Sequence, residues 1–156
     1  MKDMRVVCCS LILIFMISMP GMSVAATCTP TEPDMLGPFY KPDAPVRSSV
    51  GKGYVLTGTV RSAADCSAIS GAKVEFWMAG PDGEYADTFR ATLFSGSSGA
   101  FRFESHIPPP YYGRPQHIHI LVSASGFRTL VTQHYPGKGE TAGVFDLILI
   151  PEIKKQ

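Results

Sequence analysis

The chain contains a series of short runs in which apolar and polar residues alternate with a period of two, each closed by turn residues, and no run with a helical period of any length. In Ala72-Lys73-Val74-Glu75-Phe76-Trp77-Met78 the alternation puts Val74, Phe76 and Met78 on one face of an extended segment. Tyr54–Val60, Arg90–Phe94, Phe101–Phe103, the segment around His117, Thr129–Tyr135 and Val144–Ile150 read the same way. Between them stand Ala64-Asp65-Cys66, Pro81-Asp82-Gly83, Ser95-Gly96-Ser97-Ser98-Gly99 and Pro136-Gly137, which favour turns. Pro108-Pro109-Pro110 forces an extended segment that cannot join a ladder. About six to eight short strands without a helix of length predict an all-β fold, an antiparallel β-sandwich.

The N-terminus has a separate character. Lys2 and Arg5 precede an apolar run from Val6 to Met19, broken at Pro20-Gly21 and followed by Ser23-Val24-Ala25-Ala26. A charged start, a short apolar centre and small residues before a cleavage point are the pattern of a secretory signal peptide. The apolar run is short for a membrane span. Cleavage is expected after Ala26, with Ala25 the alternative; Thr27 is a poor residue to precede a lipidated Cys28. The expected organisation is therefore a signal peptide at 1–26, an extended N-terminal arm rich in proline and glycine at 27–53, and the sandwich at 54–156. An exported protein, periplasmic or secreted, follows from this reading.

Cleavage takes two of the 14 basic and one of the 13 acidic residues, leaving 12 of each. A chain with no formal net charge offers nothing to suggest nucleic acid as a partner, and no amphipathic segment suggests stable membrane association. Cys8 and Cys9 leave with the signal, and Cys28 and Cys66 remain. In an oxidising compartment an isolated pair is most simply a disulfide, and their spacing matches no metal motif. Closing a loop of about 38 residues stabilises by roughly 3–4 kcal/mol in the chain-entropy model.

The chemistry centres on Arg114-Pro115-Gln116-His117-Ile118-His119-Ile120, with Tyr111 and Tyr112 just ahead. On a strand His117 and His119 share one face and Ile118 and Ile120 the other, and the two histidine Cα atoms lie roughly 6.5–7 Å apart. Two imidazoles at that spacing can meet at one metal ion, or can be half-buried groups satisfied by hydrogen bonds. A cupin-like centre would need a glutamate shortly after the second histidine, where the sequence has Leu121-Val122-Ser123-Ala124. A zinc hydrolase would want a third histidine or a carboxylate; His106 and His134 are the other histidines. The nearest other donors in sequence are phenolic.

With these residues in view, the chain resembles the intradiol ring-cleavage dioxygenases, non-haem iron enzymes of the catechol and protocatechuate type. The resemblance begins at Gly37-Pro38-Phe39-Tyr40 and continues through Gly71-Ala72-Lys73-Val74-Glu75-Phe76-Trp77 and Asp82-Gly83-Glu84-Tyr85. It extends to Pro109-Pro110-Tyr111, Arg114-Pro115-Gln116-His117-Ile118-His119 and Thr132-Gln133-His134-Tyr135. It implies Fe(3+) held by Tyr85, Tyr111, His117 and His119, with Tyr112 an alternative for the second tyrosine. It also implies that Arg114 and Gln133 face the substrate. Two phenolates and a hydroxide balance a 3+ ion, and a hard cation favours anionic oxygen.

The resemblance further implies a catecholic substrate bound as a dianion in exchange for the hydroxide and one tyrosinate. Reaction with O₂ would then yield a muconate-type diacid. The loop from Tyr111 to His117 is shorter than in better-known members, and Leu36 stands where many carry glutamate before Gly-Pro. The catechol-type helical dimerisation segment is missing from the mature sequence, although a homo-oligomer remains compatible with it. Two other readings are open at this point. Thr57-Gly58-Thr59-Val60 through Gly71-Ala72-Lys73-Val74 also resembles transthyretin-like modules that bind partners without catalysis. An HxH site could instead hold zinc or copper.

Overall fold

A computed structural model describes residues 28–153. The expected signal peptide and its cleavage point lie outside the described residues. Eight strands appear in chain order: β1 (Tyr54–Ser62), β2 (Lys73–Trp77), β3 (Arg90–Phe94), β4 (Ala100–Ser105), β5 (Ile118–Ser123), β6 (Leu130–His134), β7 (Ala142–Val144) and β8 (Leu147–Leu149). Among the described residues the only helical element is a single 3-10 turn, Asp87–Phe89, and no helix is long and apolar enough to cross a membrane.

The strands form two four-stranded sheets. One has the order β4-β1-β7, with β8 also paired to β1; the other has the order β3-β2-β5-β6. The expected sandwich is present, with one difference in pairing. β1 is antiparallel to β4 but parallel to β7 and β8, while the second sheet is antiparallel throughout. The expected single strand Val144–Ile150 is two strands. Phe145 donates its N–H to Thr57, and the Asp146 carboxylate accepts from the N–H and hydroxyl of Thr59, so a side chain interrupts the ladder there.

Periodicity explains which faces meet. Tyr54, Leu56 and Val60 alternate inward along β1 and face Val74, Phe76, Ile118, Ile120 and Val122 of the second sheet. Phe76 stacks on Phe103 at 4.2 Å with the rings 5° apart. Each such side chain stabilises by about 1.5–3 kcal/mol on leaving water. Gly58 has no side chain because a Cβ there would collide with the Phe145 carbonyl.

The second sheet is buried on its outer face as well. Register aligns Arg90, Trp77, His119 and Gln133 in one row across β3, β2, β5 and β6, and all four are buried. Residues paired directly across antiparallel strands share a face, so this row lies opposite the Phe76 and Ile120 core. The arm covers it. Asp34 N–H donates to the Val131 carbonyl at one edge, at the other Arg47 N–H donates to the Thr92 carbonyl and Thr92 N–H to the Pro45 carbonyl, and Cys28 is disulfide-bonded to Cys66.

Candidate active site

The site lies between the arm and the outer face of the second sheet. His119 is the second residue of β5, and His117 falls just before the strand but keeps its alternation; both are 3% exposed. Ile118 and Ile120 point into the core on the opposite side. The expected division of one segment into a histidine face and an isoleucine face is what the structure has.

His117 Nδ1 lies 2.8 Å from the Pro115 carbonyl, which can only accept, so Nδ1 carries the proton and Nε2 keeps its lone pair. His119 stacks on Trp77, with centroids 4.9 Å apart and an interplanar angle of 8°. Burial lowers the basicity of both rings. His119 falls to about 4, with the neighbouring His117 adding to the effect, and His117 falls in the same direction. Two neutral imidazoles thus present free nitrogen on one face.

Tyr85 comes from the loop after β2, which turns at Pro81-Asp82-Gly83; Glu84 N–H is held by the Asp82 carboxylate. Its hydroxyl lies 3.3 Å from Nε2 of His117 and 3.3 Å from Nε2 of His119. Phe39 of the arm stacks on the tyrosine ring at 4.3 Å and 13°. Burial pushes the Tyr85 phenol up to about 12, with Tyr111 the next cause. Without a cation this phenol stays protonated at neutral pH.

Tyr111 stands edge-on to Tyr85 with centroids 5.3 Å apart, in the wall of a pocket of about 380 Å³ that Tyr85, His117 and His119 also line. Tyr112 points away to solvent at 89% exposure, although it touches the pocket rim. Among the described residues no third histidine, cysteine or carboxylate joins the histidine pair. His134 lies elsewhere, its Nε2 hydrogen-bonded with the Tyr54 hydroxyl at 2.6 Å, and His106 contacts the Ala79 carbonyl. Two neutral nitrogens and a phenol converging on one point, with a second phenol in the wall, fit a hard, highly charged cation that can ionise phenols. A zinc centre of the usual three protein ligands finds its third donor here only in a phenol.

Arg114 and Gln133 are together. Arg114 Nη2 donates to Gln133 Oε1 at 2.9 Å and to the Tyr135 hydroxyl at 2.7 Å. The Tyr135 hydroxyl in turn donates to Asp34 Oδ2 at 2.6 Å, and Gln133 Nε2 donates to the Met35 carbonyl at 2.7 Å. Burial works to raise the Asp34 carboxyl, but the bonds from Tyr135 and the Met35 N–H, with Arg114 beyond, hold it below its ordinary value. Sequence reasoning gave no role to Tyr135, Asp34, Trp77 or Arg90. Alternation from Gln133 would have put Tyr135 on the same face. Arg90, which donates to the carbonyls of Phe39 and Tyr85, carried no such signal.

Known proteins with this architecture share the sequence pattern too. The dioxygenase domain of a dioxygenase–carbohydrate-binding fusion protein from Streptomyces sp. SirexAA-E is 30% identical, with a TM-score of 0.71 over 80% of this chain and 100% of that one. Chlorocatechol 1,2-dioxygenase of Cupriavidus pinatubonensis is 29% identical over 80% of this chain and 64% of its own length. An intradiol ring-cleavage dioxygenase from Tetranychus urticae, 17% identical, has the same fold at a TM-score of 0.72. No family model matches the chain. The chain spans less than two thirds of the length of the chlorocatechol dioxygenases it matches. Its fold, its ordered motifs and these relatives together make it a member of the intradiol ring-cleavage dioxygenase family.

Proposed function

We propose that this chain is an exported, Fe(3+)-dependent intradiol dioxygenase that cleaves a catecholic ring with O₂. The observation that carries the reading is the Tyr85 hydroxyl at 3.3 Å from both histidine Nε2 atoms, on the floor of a pocket open to solvent. Export is supported by the signal-like N-terminus and by the Cys28–Cys66 disulfide.

His117, His119, Tyr85 and Tyr111 would hold the ion. When bound, Fe(3+) supplies a Lewis acid that favours the ionised catechol and makes its ring reactive toward O₂. Tyr85 is clamped by Phe39 and is suited to stay in place. Tyr111, on a turn at the pocket wall, is the phenol free to swing out and accept a catechol proton at its Oη. Pro115 fixes the tautomer of His117 through its carbonyl. Arg114, kept rigid by Gln133 and Tyr135, stabilises negative charge growing on the ring or on oxygen. Both atoms of O₂ end in the product, a muconate-type diacid, so the reaction needs no further reductant.

The reading is tested on the protein from residue 27 onward, loaded with iron in air. It should be coloured by tyrosinate-to-iron charge transfer and should consume one O₂ per catechol. A protein that stays colourless and inactive after iron loading would sink the proposal and favour a non-catalytic sandwich module.

A further inference from the structure

The pocket is larger than one ring requires. At about 380 Å³ it falls among those that bury ligands of drug size. From its floor a line of aromatic rings leads outward. Tyr85 meets Tyr111 edge-on at 5.3 Å, and Tyr111 meets Tyr112 edge-on at 4.6 Å. Tyr112 ends the line at 89% exposure, the most exposed aromatic ring among the described residues.

Folding alone gives no reason for a tyrosine there. Tyr111 and Arg114 exchange backbone hydrogen bonds at 3.1 and 2.9 Å, closing a two-residue turn over Tyr112 and Gly113. Both central residues have positive φ, 45° and 74°. Such a turn is relaxed with asparagine or glycine at its first central position and strained with a bulky aromatic. An exposed ring held in a strained backbone beside a ligand pocket points to binding rather than stability.

The polar surroundings narrow what would bind. Arg114 is the single cation lining the pocket, and its Nη2 is already bonded to Gln133 and Tyr135. Asp34 and Glu84 bring negative charge close to the same rim, near Arg114 and Tyr111 respectively. Met35, Pro38 and Phe39 supply the rest of the edge, all apolar. A carboxylated ring would have to share the one cation with Asp34 and meet the negative charge of Glu84, whereas an uncharged aromatic group finds a ring to pack on.

We propose that Tyr112 forms an outer aromatic subsite, and that the chain's substrates are catechols bearing an uncharged aryl substituent that packs against it. This rests on the ring-cleavage reading and names the substrate class of that site. The test measures binding of three probes to the iron-loaded protein under nitrogen by calorimetry: catechol, 4-phenylcatechol and 3,4-dihydroxybenzoate. The wild type should bind 4-phenylcatechol about tenfold more tightly than catechol, the scale of a good aromatic pair, and 3,4-dihydroxybenzoate most weakly.

Tyr112→Asn should erase the preference for the phenyl compound while raising Tm, because asparagine relaxes the turn. Tyr112→Phe should keep the preference. A preference unchanged in Tyr112→Asn, or tightest binding of 3,4-dihydroxybenzoate, overturns the subsite and leaves the ring-cleavage reading standing. A wild type that binds none of the three overturns both.

Discussion

Gly37 lies so close to His119 that a Cβ at position 37 would begin 3.0 Å from the imidazole Cε1, and its φ of +72° is one that side chains resist. The arm is therefore shaped to the ring it covers. Gly37→Ala should cost about 1–2 kcal/mol from the backbone alone, and it should also displace His119. Thermal unfolding should give a lowered Tm, and iron titration a weaker affinity. An unchanged affinity would mean that the ring and the arm are not coupled.

Arg114 bridges Gln133 and Tyr135 while remaining half exposed, so its loss should affect chemistry more than folding. Arg114→Ala should reduce kcat by about 10²–10³, the usual effect of removing one preorganised charge-stabilising donor, with a Tm close to wild type. Steady-state O₂ uptake measures the first and calorimetry the second. A kcat within twofold of wild type would remove Arg114 from the chemistry.

How much of this could be read from the sequence depended on the range of the contacts. Alternation is a local property, so it located β1, β2 and the histidine face of the segment entering β5. It failed at Phe145 and Asp146 because the interruption is made by a carboxylate reaching Thr59 on another strand. Tyr85 sits after a turn, where no period applies, and only the ordered family motifs singled it out. Asp34 and Tyr135 are separated by 101 positions, and nothing in either neighbourhood announces the bond between them. That Phe39 packs on Tyr85 is information only the fold contains.

His134 is half-buried beside Tyr54, its Nε2 at 2.6 Å from that hydroxyl. Burial lowers its pKa from the ordinary 6.5, and the nearby Glu140 opposes this only in part. The unfolded chain then binds a proton that the folded chain does not. Stability is complete above pH 6.5 and falls as the pH drops from there toward the folded-state value. Melting curves of metal-free protein should show Tm decreasing from pH 7 to pH 5. His134→Gln should flatten that profile, with His117 and His119 still contributing in the same direction. An equally steep profile in the variant would clear His134.

Cys28 ties the start of the arm to Cys66 across a loop of 38 residues. Replacing both by alanine should destabilise the domain by about 3–4 kcal/mol in the chain-entropy model. Urea unfolding of the double variant against oxidised wild type measures the difference. A loss below about 1 kcal/mol would show that the denatured chain is already constrained around the arm.

The bonds that seat the arm run from Glu32 to Thr132, from Asp34 to Tyr135 and from Met35 to Gln133. Each joins residues made early in synthesis to residues made about a hundred positions later. Until those bonds form, His117 and His119 lie without their cover. In that interval the pair is an open chelate, and open nitrogen sites rank divalent ions by intrinsic affinity, with copper at the top. Only the closed chamber with its phenols prefers a harder ion. On the Fe(3+) reading, the time at which the arm closes would then matter to metal choice as much as the ligands themselves.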